Sequence, residues 1–366
     1  MKTPYIFVTV GTTNFDDLIH VIDSTEFCAW AKAKGYAGIL VQKGNGKYEP
    51  GTGSEGVPIE HYSFKPSLHD DMAGAALVVS HAGSGSIMES LELGKPTVVV
   101  VNTSLMDNHQ LELANKLHQL GKVTISNGPQ NFLAAIADLP SFSSSSSSSA
   151  GSSTKAQGKN NKSTEEEEEQ HDHHHFDNVF EEICAGNPQK RILSVMGSGG
   201  HTTEMVRMLS DLDFEKHGER AYVLAETDRI SPGKVDTLEA RKNNVGQHTV
   251  VKVPRSREVG QSYLTSILTT FVAFFYSFAA VWRFMPDVVV CNGPGTCVPI
   301  CVAARIIRLL CWKDIRIVYV ESVARVKSLS LSGKILRFVA DCFIVQWPEL
   351  KERYPKSTLK NFFFGL

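Results

Sequence analysis

The segment LVVSHAGSGSIMESL, residues 77–91, decides the fold of the first part of this chain. Residues 77–80 are an apolar run typical of a buried parallel strand, residues 81–86 form a turn rich in glycine and serine, and residues 87–91 begin a helical pattern. A strand that passes through such a turn into a helix leaves backbone N–H groups free at the positive end of the helix dipole. The segment therefore predicts an α/β unit that can hold a diphosphate without a metal ion.

The same arrangement occurs a second time in ILSVMGSGGHTTEM, residues 192–205. An apolar run leads into the glycine-rich turn at residues 197–200, and a helical pattern follows over residues 205–209. The turn differs from the nicotinamide-dinucleotide fingerprint GxGxxG, because residues 201 and 202 are His and Thr and the fingerprint ends in glycine. A second phosphate-binding turn is therefore predicted, and an oxidoreductase is disfavoured.

Short β-branched runs alternate with amphipathic helical patterns around both motifs, which is typical of parallel sheets wound with helices. We predict strands at residues 5–10, 38–41, 77–80 and 97–101 in a first block, and at residues 191–196, 221–225, 250–253, 287–291, 315–320 and 342–345 in a second block. The predicted fold class is α/β, with two Rossmann-like parallel-sheet domains that face a cleft. Ligands of such sheets bind at the carboxyl ends of the strands.

The middle of the chain separates the two blocks. Residues 143–149 are all serine, residues 165–169 are all glutamate, and His171, His173, His174 and His175 follow. Such a segment cannot bury enough apolar surface to offset its chain entropy. A metal bound by the histidines is an alternative, but a solvated spacer is favoured and we expect no metal there. We predict a first domain at residues 1–140, a disordered linker at residues 141–187 and a second domain at residues 188–366.

The composition is that of an ordinary globular protein, with 366 residues of which 42% are hydrophobic and 21% are charged. The net charge of −2 gives no argument for nucleic acid as a partner. Seven cysteines are scattered along the chain, and the closest set is Cys291, Cys297 and Cys301. Zinc ligation by these three is an alternative, but buried free thiols in a reducing compartment are favoured. No secretory leader is recognisable, so we expect a protein that faces the cytosol.

One segment is unusually apolar. Residues 259–282 contain no charged side chain, but serines and threonines interrupt them, and only residues 267–282 are densely apolar. This is shorter than the apolar stretch needed to span a bilayer. We expect a helix that packs in the domain or lies on a membrane surface.

Small and polar residues follow the predicted strands of the first block, where a ligand would bind. Each of these sets also has a purely structural explanation. The first turn, at residues 11–13, can serve packing alone. Glu89 can be a ribose ligand or a solvated helix residue, and residues 107–110 can contact sugar hydroxyls or cap a helix. Two such loops after consecutive strands should face one cleft. The candidates are Gly11, Thr12, Thr13, His81, Ala82, Gly83, Ser84, Gly85, Ser86, Glu89, Asp107, Asn108, His109 and Gln110.

The second block repeats this logic at the ends of its own strands. A glycine-rich turn follows the strand at residues 287–291, and an acidic residue ends the strand at residues 315–320. The candidates are Gly197, Ser198, Gly199, Gly200, His201, Glu204, Asn292, Gly293, Gly295, Thr296 and Glu321.

Longer segments carry a specific resemblance. GTTNFD at residues 11–16, HAGSGSIMESLELGKP at 81–96 and DNHQLELA at 107–114 resemble the donor-binding subunit of the dolichol-pathway N-acetylglucosaminyltransferase. GSGGHTTEM at 197–205, CNGPGTCVPIC at 291–301, VESVARVKSLSLSGKIL at 320–336 and FIVQWPELKERYP at 343–355 resemble its acceptor-side, membrane-anchoring partner. Together the two resemblances cover nearly all of the chain except the linker.

The resemblance implies that both subunits are fused here into one enzyme of the glycosyltransferase-B type, related to the bacterial transferase that forms lipid II. It implies inverting transfer of GlcNAc from UDP-GlcNAc to GlcNAc-diphosphodolichol, which gives the β-1,4-linked chitobiosyl lipid of N-glycan precursor assembly. The implied place is the cytosolic face of the endoplasmic reticulum membrane. The implied partners are UDP-GlcNAc, the dolichol-diphosphate-linked GlcNAc, the membrane surface and the second domain of the same chain.

By the same resemblance, the candidates of the first block bind UDP-GlcNAc, and the glycine-rich turns of the second block hold the acceptor. His201 is the first candidate for the base that takes the acceptor hydroxyl proton, because an imidazole has a suitable pKa. A contact of His201 with phosphate or backbone is the alternative, and Glu204 and Glu321 are the reserve candidates. No cofactor or catalytic metal is expected. A related glycolipid glycosyltransferase and a non-catalytic nucleotide-sugar-binding scaffold remain the alternative functions.

Overall fold

The computed structural model describes residues 3–65, 67–102, 108–142, 176–183, 190–243, 247–255 and 263–364, with only the backbone at residues 108–110 and 263–268. The candidate Asp107 and the serine, glutamate and histidine tracts between residues 143 and 175 lie outside the described residues.

The first block is a seven-stranded sheet with helices on both faces. Its elements are β1 (Tyr5–Thr9), α1 (Asp16–Ile22), α2 (Thr25–Ala33), β2 (Gly38–Gln42), β3 (Gly53–Ser54), β4 (Val57–Tyr62), α3 (His69–Gly74), β5 (Leu77–His81), α4 (Ser84–Glu92), β6 (Thr97–Val100), α5 (Asn108–Gln119), β7 (Thr124–Ser126), a 3₁₀ turn (Pro129–Asn131) and α6 (Phe132–Ile136). The strand order is β3-β4-β2-β1-β5-β6-β7, and only the β3–β4 pair is antiparallel among the described strands.

The second block is a sheet of the same size in which every described pair is parallel. Its elements are α7 (Phe176–Ile183), β8 (Ile192–Val195), α8 (Gly200–Ser210), β9 (Glu219–Ala225), α9 (Ser231–Arg241), β10 (Gln247–Val253), α10 (Tyr263–Phe284), β11 (Val288–Asn292), α11 (Cys297–Cys311), β12 (Arg316–Val320), α12 (Leu331–Leu336), β13 (Cys342–Val345), α13 (Pro348–Arg353) and β14 (Thr358–Leu359). The strand order is β10-β9-β8-β11-β12-β13-β14.

The central strands are apolar without alternation because helices cover both faces of each sheet. Every residue of β5, β6, β8 and β11 is buried, as expected for parallel sheets of this kind. In the first sheet β2 and β5 lie on opposite sides of β1, and in the second β9 and β11 lie on opposite sides of β8. The direction in which strands are added therefore reverses at β1 and at β8. These two switch points are where ligands of doubly wound sheets bind.

The predicted α/β class and all ten predicted strands are confirmed, with ends that differ by up to three residues. Four short or peripheral strands were not predicted. Strand β4 contains Pro58 and alternates between buried and exposed residues, and β3, β7 and β14 have only two or three residues each. Such strands carry little periodicity, so the sheet order at the edges had no sequence signal.

Helix α7 lies inside the segment predicted as a disordered linker, so that prediction is wrong for residues 176–183. Phe176, Val179 and Phe180 are buried in the core of the second block. The missed signal is FDNVFEEI, in which these residues recur at the spacing of one helix face. The second block therefore begins before residue 188.

Helix α10 corresponds to the apolar segment predicted to pack in the domain or to lie on a surface. It packs against α11, buries Ala273 and Val281, and exposes Phe271 and Phe275. Within the described parts of the chain, no helix combines the length and apolarity that crossing a bilayer requires.

The two blocks share an apolar cluster. Ile87 and Leu113 from the first block pack in one cluster with Val323 and Trp347 from the second. At the rim of this contact Arg207 Nε lies 3.1 Å from Glu92 Oε1, and the backbone N–H of Lys327 donates a 3.0 Å hydrogen bond to Glu112. The blocks are thus joined by a buried interface as well as by the chain between them.

Candidate functional site

The turn after β1 is built around a left-handed glycine. Gly11 has a φ of +60°, and its N–H donates a 2.9 Å hydrogen bond to Gln42 Oε1, while Gln42 Nε2 donates a 2.8 Å bond back to Gly11 O. The hydroxyl of Thr13 donates to Val10 O at 2.8 Å, so it caps the turn from inside. The backbone of residues 11–13 consequently has a fixed shape at the switch point of the first sheet.

His81 connects this turn to the next one. A Cβ on Gly11 or on Gly83 would lie 2.7 Å from His81 Cε1, so the imidazole fills the space between the two glycines. Burial lowers the pKa of His81 to about 4, and the ring is neutral at neutral pH. The imidazole therefore packs against the loops at Gly11 and Gly83 and does not supply a positive charge.

Helix α4 begins directly after this support. Its N-cap is Gly83, and among the described residues no side chain caps the first turn, so the N–H groups of the first turn are available to a ligand. Glu89 lies one turn further along α4, about a third exposed, with Oε1 3.6 Å from Nδ1 of His69. The predicted strand, turn and helix are therefore present, with a carboxylate beside them.

The turn after β8 has the same construction. Gly199 has a φ of +61° and precedes α8 without a side-chain cap. Thr202 and Ser231 hydroxyls both donate to the carbonyl of Gly197, which fixes the end of β8. A Cβ on Gly197 would lie 2.5 Å from Cβ of His201, so only glycine fits beneath this histidine.

His201 is held by the loop after β11. Asn292 Nδ2 donates a 2.8 Å hydrogen bond to the backbone carbonyl of His201, and the ring of His201 lies against the backbone of Gly293. Asn292 is fully buried. The structure thus brings together the residues 197–201 and 292–296, as the sequence predicted from the two strand ends.

Glu204 is buried behind His201. Its Oε1 accepts a 2.8 Å hydrogen bond from Ser322 Oγ, and Oε2 lies 3.5 Å from Asn292 Nδ2. Burial raises the pKa of Glu204 to about 7, and the neighbouring Glu321 adds to that effect. Glu204 therefore changes its protonation near neutral pH and is linked to His201 through Asn292.

Glu321 is buried deeper and is occupied by the fold. Its carboxylate accepts 3.0 Å bonds from the backbone N–H of Ser322 and of Ser330, and a 3.1 Å bond from Ser330 Oγ. A Cβ on Gly333 would clash with this carboxylate. Burial raises the pKa of Glu321 above its ordinary value. These contacts tie the loop after β12 to the start of α12.

The N-termini of α4 and α8 meet across the contact between the blocks. A Cβ on Gly85 would lie 3.1 Å from Thr203 Oγ1 and 3.5 Å from the Cα of Gly200, and a Cβ on Gly200 would clash with Ser84 Oγ. Two positive helix ends therefore converge on one region, which favours a ligand with several negative charges.

Two residues at this place were not predicted. Lys234 in the first turn of α9 donates a 2.6 Å hydrogen bond to Thr203 Oγ1, and burial lowers its pKa while Glu89 raises it. A lysine near a helix N-terminus opposes the helix dipole, which is the sequence signal that could have singled it out. Ser322 carried no such signal, because its role depends on where Glu204 lies.

Some predicted residues are not placed by these contacts. Asp107 lies outside the described residues, and Asn108, His109 and Gln110 form the first turn of α5 as backbone only. Asn102 follows β6 by two residues, and its Nδ2 donates a 3.2 Å hydrogen bond to Asn14 O.

Two Rossmann-like halves with facing glycine-rich helix starts define a fold of the glycosyltransferase-B type. Residues 5–171 match the glycosyltransferase family 28 C-terminal domain. Residues 192–363 match the family described as oligosaccharide biosynthesis protein Alg14 like. The chain belongs to this Alg14-like family.

Relatives with curated names support the family assignment. The UDP-N-acetylglucosamine transferase subunit ALG14 of Mus musculus is 52% identical over 174 residues, which are 46% of this chain and 80% of the relative. The subunit of the same name from Homo sapiens is 49% identical, over 45% of this chain and 79% of the relative. The NMR solution structure of ALG13 aligns with 38% of this chain and 88% of its own at 28% identity, with a TM-score of 0.29 that supports no conclusion about the fold.

Proposed function

We propose that this chain is a glycosyltransferase that carries its donor and acceptor sites in one polypeptide, and that it transfers GlcNAc from UDP-GlcNAc to GlcNAc-diphosphodolichol. The observation that carries the proposal is the convergence of the α4 and α8 N-termini, where a Cβ added to Gly85 would lie 3.5 Å from the Cα of Gly200. Both substrates of this reaction contain a diphosphate, and each helix start suits one of them. The residues 3–142 form the donor half and residues 176–364 the acceptor half.

The donor half holds UDP-GlcNAc at the switch point beside β1 and β5. The first turn of α4 binds the diphosphate through backbone N–H groups, and Glu89 accepts hydrogen bonds from the ribose hydroxyls. His81 keeps the loops at Gly11 and Gly83 in register as a neutral support. Lys234 reaches this region from the acceptor half and adds a positive charge near the leaving group.

The acceptor half orients the attacking sugar. His201 takes the proton of the acceptor 4-hydroxyl, whose oxygen attacks the anomeric carbon as the bond to the UDP oxygen breaks, so the configuration inverts. The positive start of α4 stabilises the charge that develops on UDP, without need of a divalent ion. Glu204 positions His201 through Asn292, and Glu321 supports the loop after β12 as a structural carboxylate.

An apolar surface on the acceptor half fits the membrane that carries a dolichol substrate. Leu331, Ile335 and Phe338 on α12 and the turn after it are exposed at the spacing of one helix face, and Lys334 and Arg337 lie between them. Trp312, at the end of α11, is 93% exposed. Basic residues beside exposed apolar ones favour the anionic cytosolic leaflet of a membrane. This surface supports our proposal that the enzyme acts on the cytosolic face of the endoplasmic reticulum membrane.

The purified full chain tests the proposal in an assay with radiolabelled UDP-GlcNAc and a short-chain GlcNAc-diphosphate lipid. We expect transfer that persists in EDTA and a product with a β-1,4 linkage by NMR. UDP-glucose and a lipid diphosphate without sugar serve as matched donor and acceptor controls. Binding of UDP-GlcNAc without any transfer would support a nucleotide-sugar-binding scaffold instead, and transfer to a different lipid would support a related glycolipid transferase.

A further inference from the structure

A second cluster of ligating side chains lies away from the cleft, where α7 packs on the second block. Asp177 and Glu181 are one helical turn apart on α7, and His217 lies in the turn before β9. One ligand atom from each of the three residues lies within 4.8 Å of the others. The cluster thus combines two carboxylates and an imidazole on elements that are distant in sequence.

His217 is the unusual member of this cluster. Its side chain is fully buried, and among the described residues neither ring nitrogen makes a hydrogen bond of normal geometry. Nε2 lies 3.4 Å from Glu181 Oε1, and the ring of Phe180 contacts the imidazole edge to face. A buried imidazole without hydrogen bonds is costly, and native folds rarely leave one. Oδ1 of Asp177 is also buried and has no hydrogen-bond partner within the part of the chain that the structure describes.

The charges around the imidazole suit a cation. A neutral imidazole offers a nitrogen lone pair to a metal ion. Lys216 currently faces the same carboxylates, with Nζ 2.6 Å from Glu181 Oε1, and Asp213 lies near it. The Lys216 side chain is 35% exposed and can move into solvent.

We propose that Asp177, Glu181 and His217 bind a zinc ion that fastens α7 to the second block. A neutral imidazole and two carboxylates are ligands that zinc accepts, and a water molecule would complete four-coordination. Imidazole nitrogen disfavours calcium and magnesium, which prefer all-oxygen sites. Because α7 is the first described element after residue 142, the ion would fix the point where the chain enters the acceptor half. It would take no part in sugar transfer.

The test uses the full chain with His171, His173, His174 and His175 replaced by serine, so that these histidines cannot chelate the metal. We expect one zinc per chain in competition with a chromophoric chelator, and a rise in Tm on adding zinc. Asp177→Asn and Glu181→Gln change half-buried side chains and should each weaken zinc binding by more than about tenfold. Glu182→Gln, exposed on the same helix, should leave binding unchanged.

Lys216→Gln provides a measurement in the opposite direction. Because it removes the ammonium group that competes for Glu181, zinc should bind several-fold more tightly, and donor binding should not change. The proposal is overturned if the serine-substituted chain binds no zinc, if Asp177→Asn and Glu181→Gln bind it as the parent does, or if Lys216→Gln weakens binding.

Discussion

Gly293 and His201 are in direct contact: Gly293 has a φ of +71°, and a Cβ at this position would lie 2.6 Å from Nδ1 of His201. We predict that Gly293→Ala displaces the imidazole and lowers kcat by about 10²-fold or more, the range expected when a general base is lost. The Kd for UDP-GlcNAc should stay the same because the donor half is untouched. Steady-state kinetics and a donor titration measure the two quantities.

Gly295→Ala is the matched control in the same loop, because a Cβ at Gly295 meets nothing within 4 Å. His201→Ala gives the loss of kcat expected when the imidazole is removed completely, and it should also remove the acidic limb of the pH profile of kcat. If Gly293→Ala is no slower than Gly295→Ala, the imidazole is not the group that this loop positions.

The raised pKa of the buried Glu204 carboxyl group leads us to predict that the stability of the fold depends on pH. Its pKa is about 7 in the folded protein and about 4.5 when exposed, so between these values the folded state holds a proton that the unfolded state has released. The free energy of unfolding therefore falls as the pH rises from 4.5 to 7, by up to about 3 kcal/mol from this group. Urea denaturation should show Glu204→Gln to be more stable than the parent at pH 8 and equal to it at pH 4. Equal stability at both pH values would contradict the buried, protonatable carboxylate.

Glu89 is the most direct test of the donor half. Loss of a carboxylate that accepts two ribose hydroxyls costs about 2–3 kcal/mol, so Glu89→Ala should raise the donor KM by about 30-fold or more. His69 faces the same carboxylate at 3.6 Å, and His69→Ala should have a small effect by comparison. Glu60→Ala removes an exposed carboxylate from β4 and serves as the control. An unchanged KM in Glu89→Ala removes this residue from the donor site.

The sequence predicted the central strands and their loops because buried parallel strands leave a strong local signal. The small-residue turn after β1 and the glycine-rich turns after β5, β8 and β11 were also visible, and these strands lie at or next to the switch points of the two sheets. What the sequence did not reveal depends on contacts between distant residues. The role of Ser322 depends on the burial of Glu204. Lys234 could have stood out as a lysine near a helix N-terminus, but its contact with Thr203 depends on the approach of α9 to α8.

Helix α7 illustrates a different limit. Its apolar spacing was visible in the sequence, but a long polar tract precedes it, and composition averaged over residues 141–187 favoured disorder. A helix of 8 residues has little stability by itself and forms because Phe176 and Phe180 pack into a core that is built by other elements.

The apolar surface of the acceptor half predicts binding to lipid vesicles. Trp312→Ser combined with Phe338→Ser should reduce co-sedimentation with vesicles that contain anionic phospholipid by about tenfold or more, because two exposed aromatic side chains no longer enter the bilayer. High salt should also weaken the binding of the parent protein to these vesicles, because Lys334 and Arg337 are attracted to the anionic lipid by their charge. Phe64→Ser, at an exposed phenylalanine of the donor half, is the control. Equal loss in Phe64→Ser would mean that the surface is not specific.

Because an apolar interface joins the two halves, we predict that the enzyme can be divided into two fragments and reassembled, provided that α7 stays with the acceptor half. Fragments 1–142 and 176–366 should each be inactive and should recover transfer when mixed, because the cluster of Ile87, Leu113, Val323 and Trp347 gives them an apolar interface. A fragment that begins at residue 188 lacks α7, and the loss of two fully buried phenylalanines costs about 1.5–3 kcal/mol each. Urea denaturation of the two acceptor fragments should therefore show the shorter one to be less stable, and its mixture with 1–142 less active. Transfer by either half alone would show that the active cleft is not shared between the halves. Equal stability of the two acceptor fragments would show that α7 is dispensable for the fold.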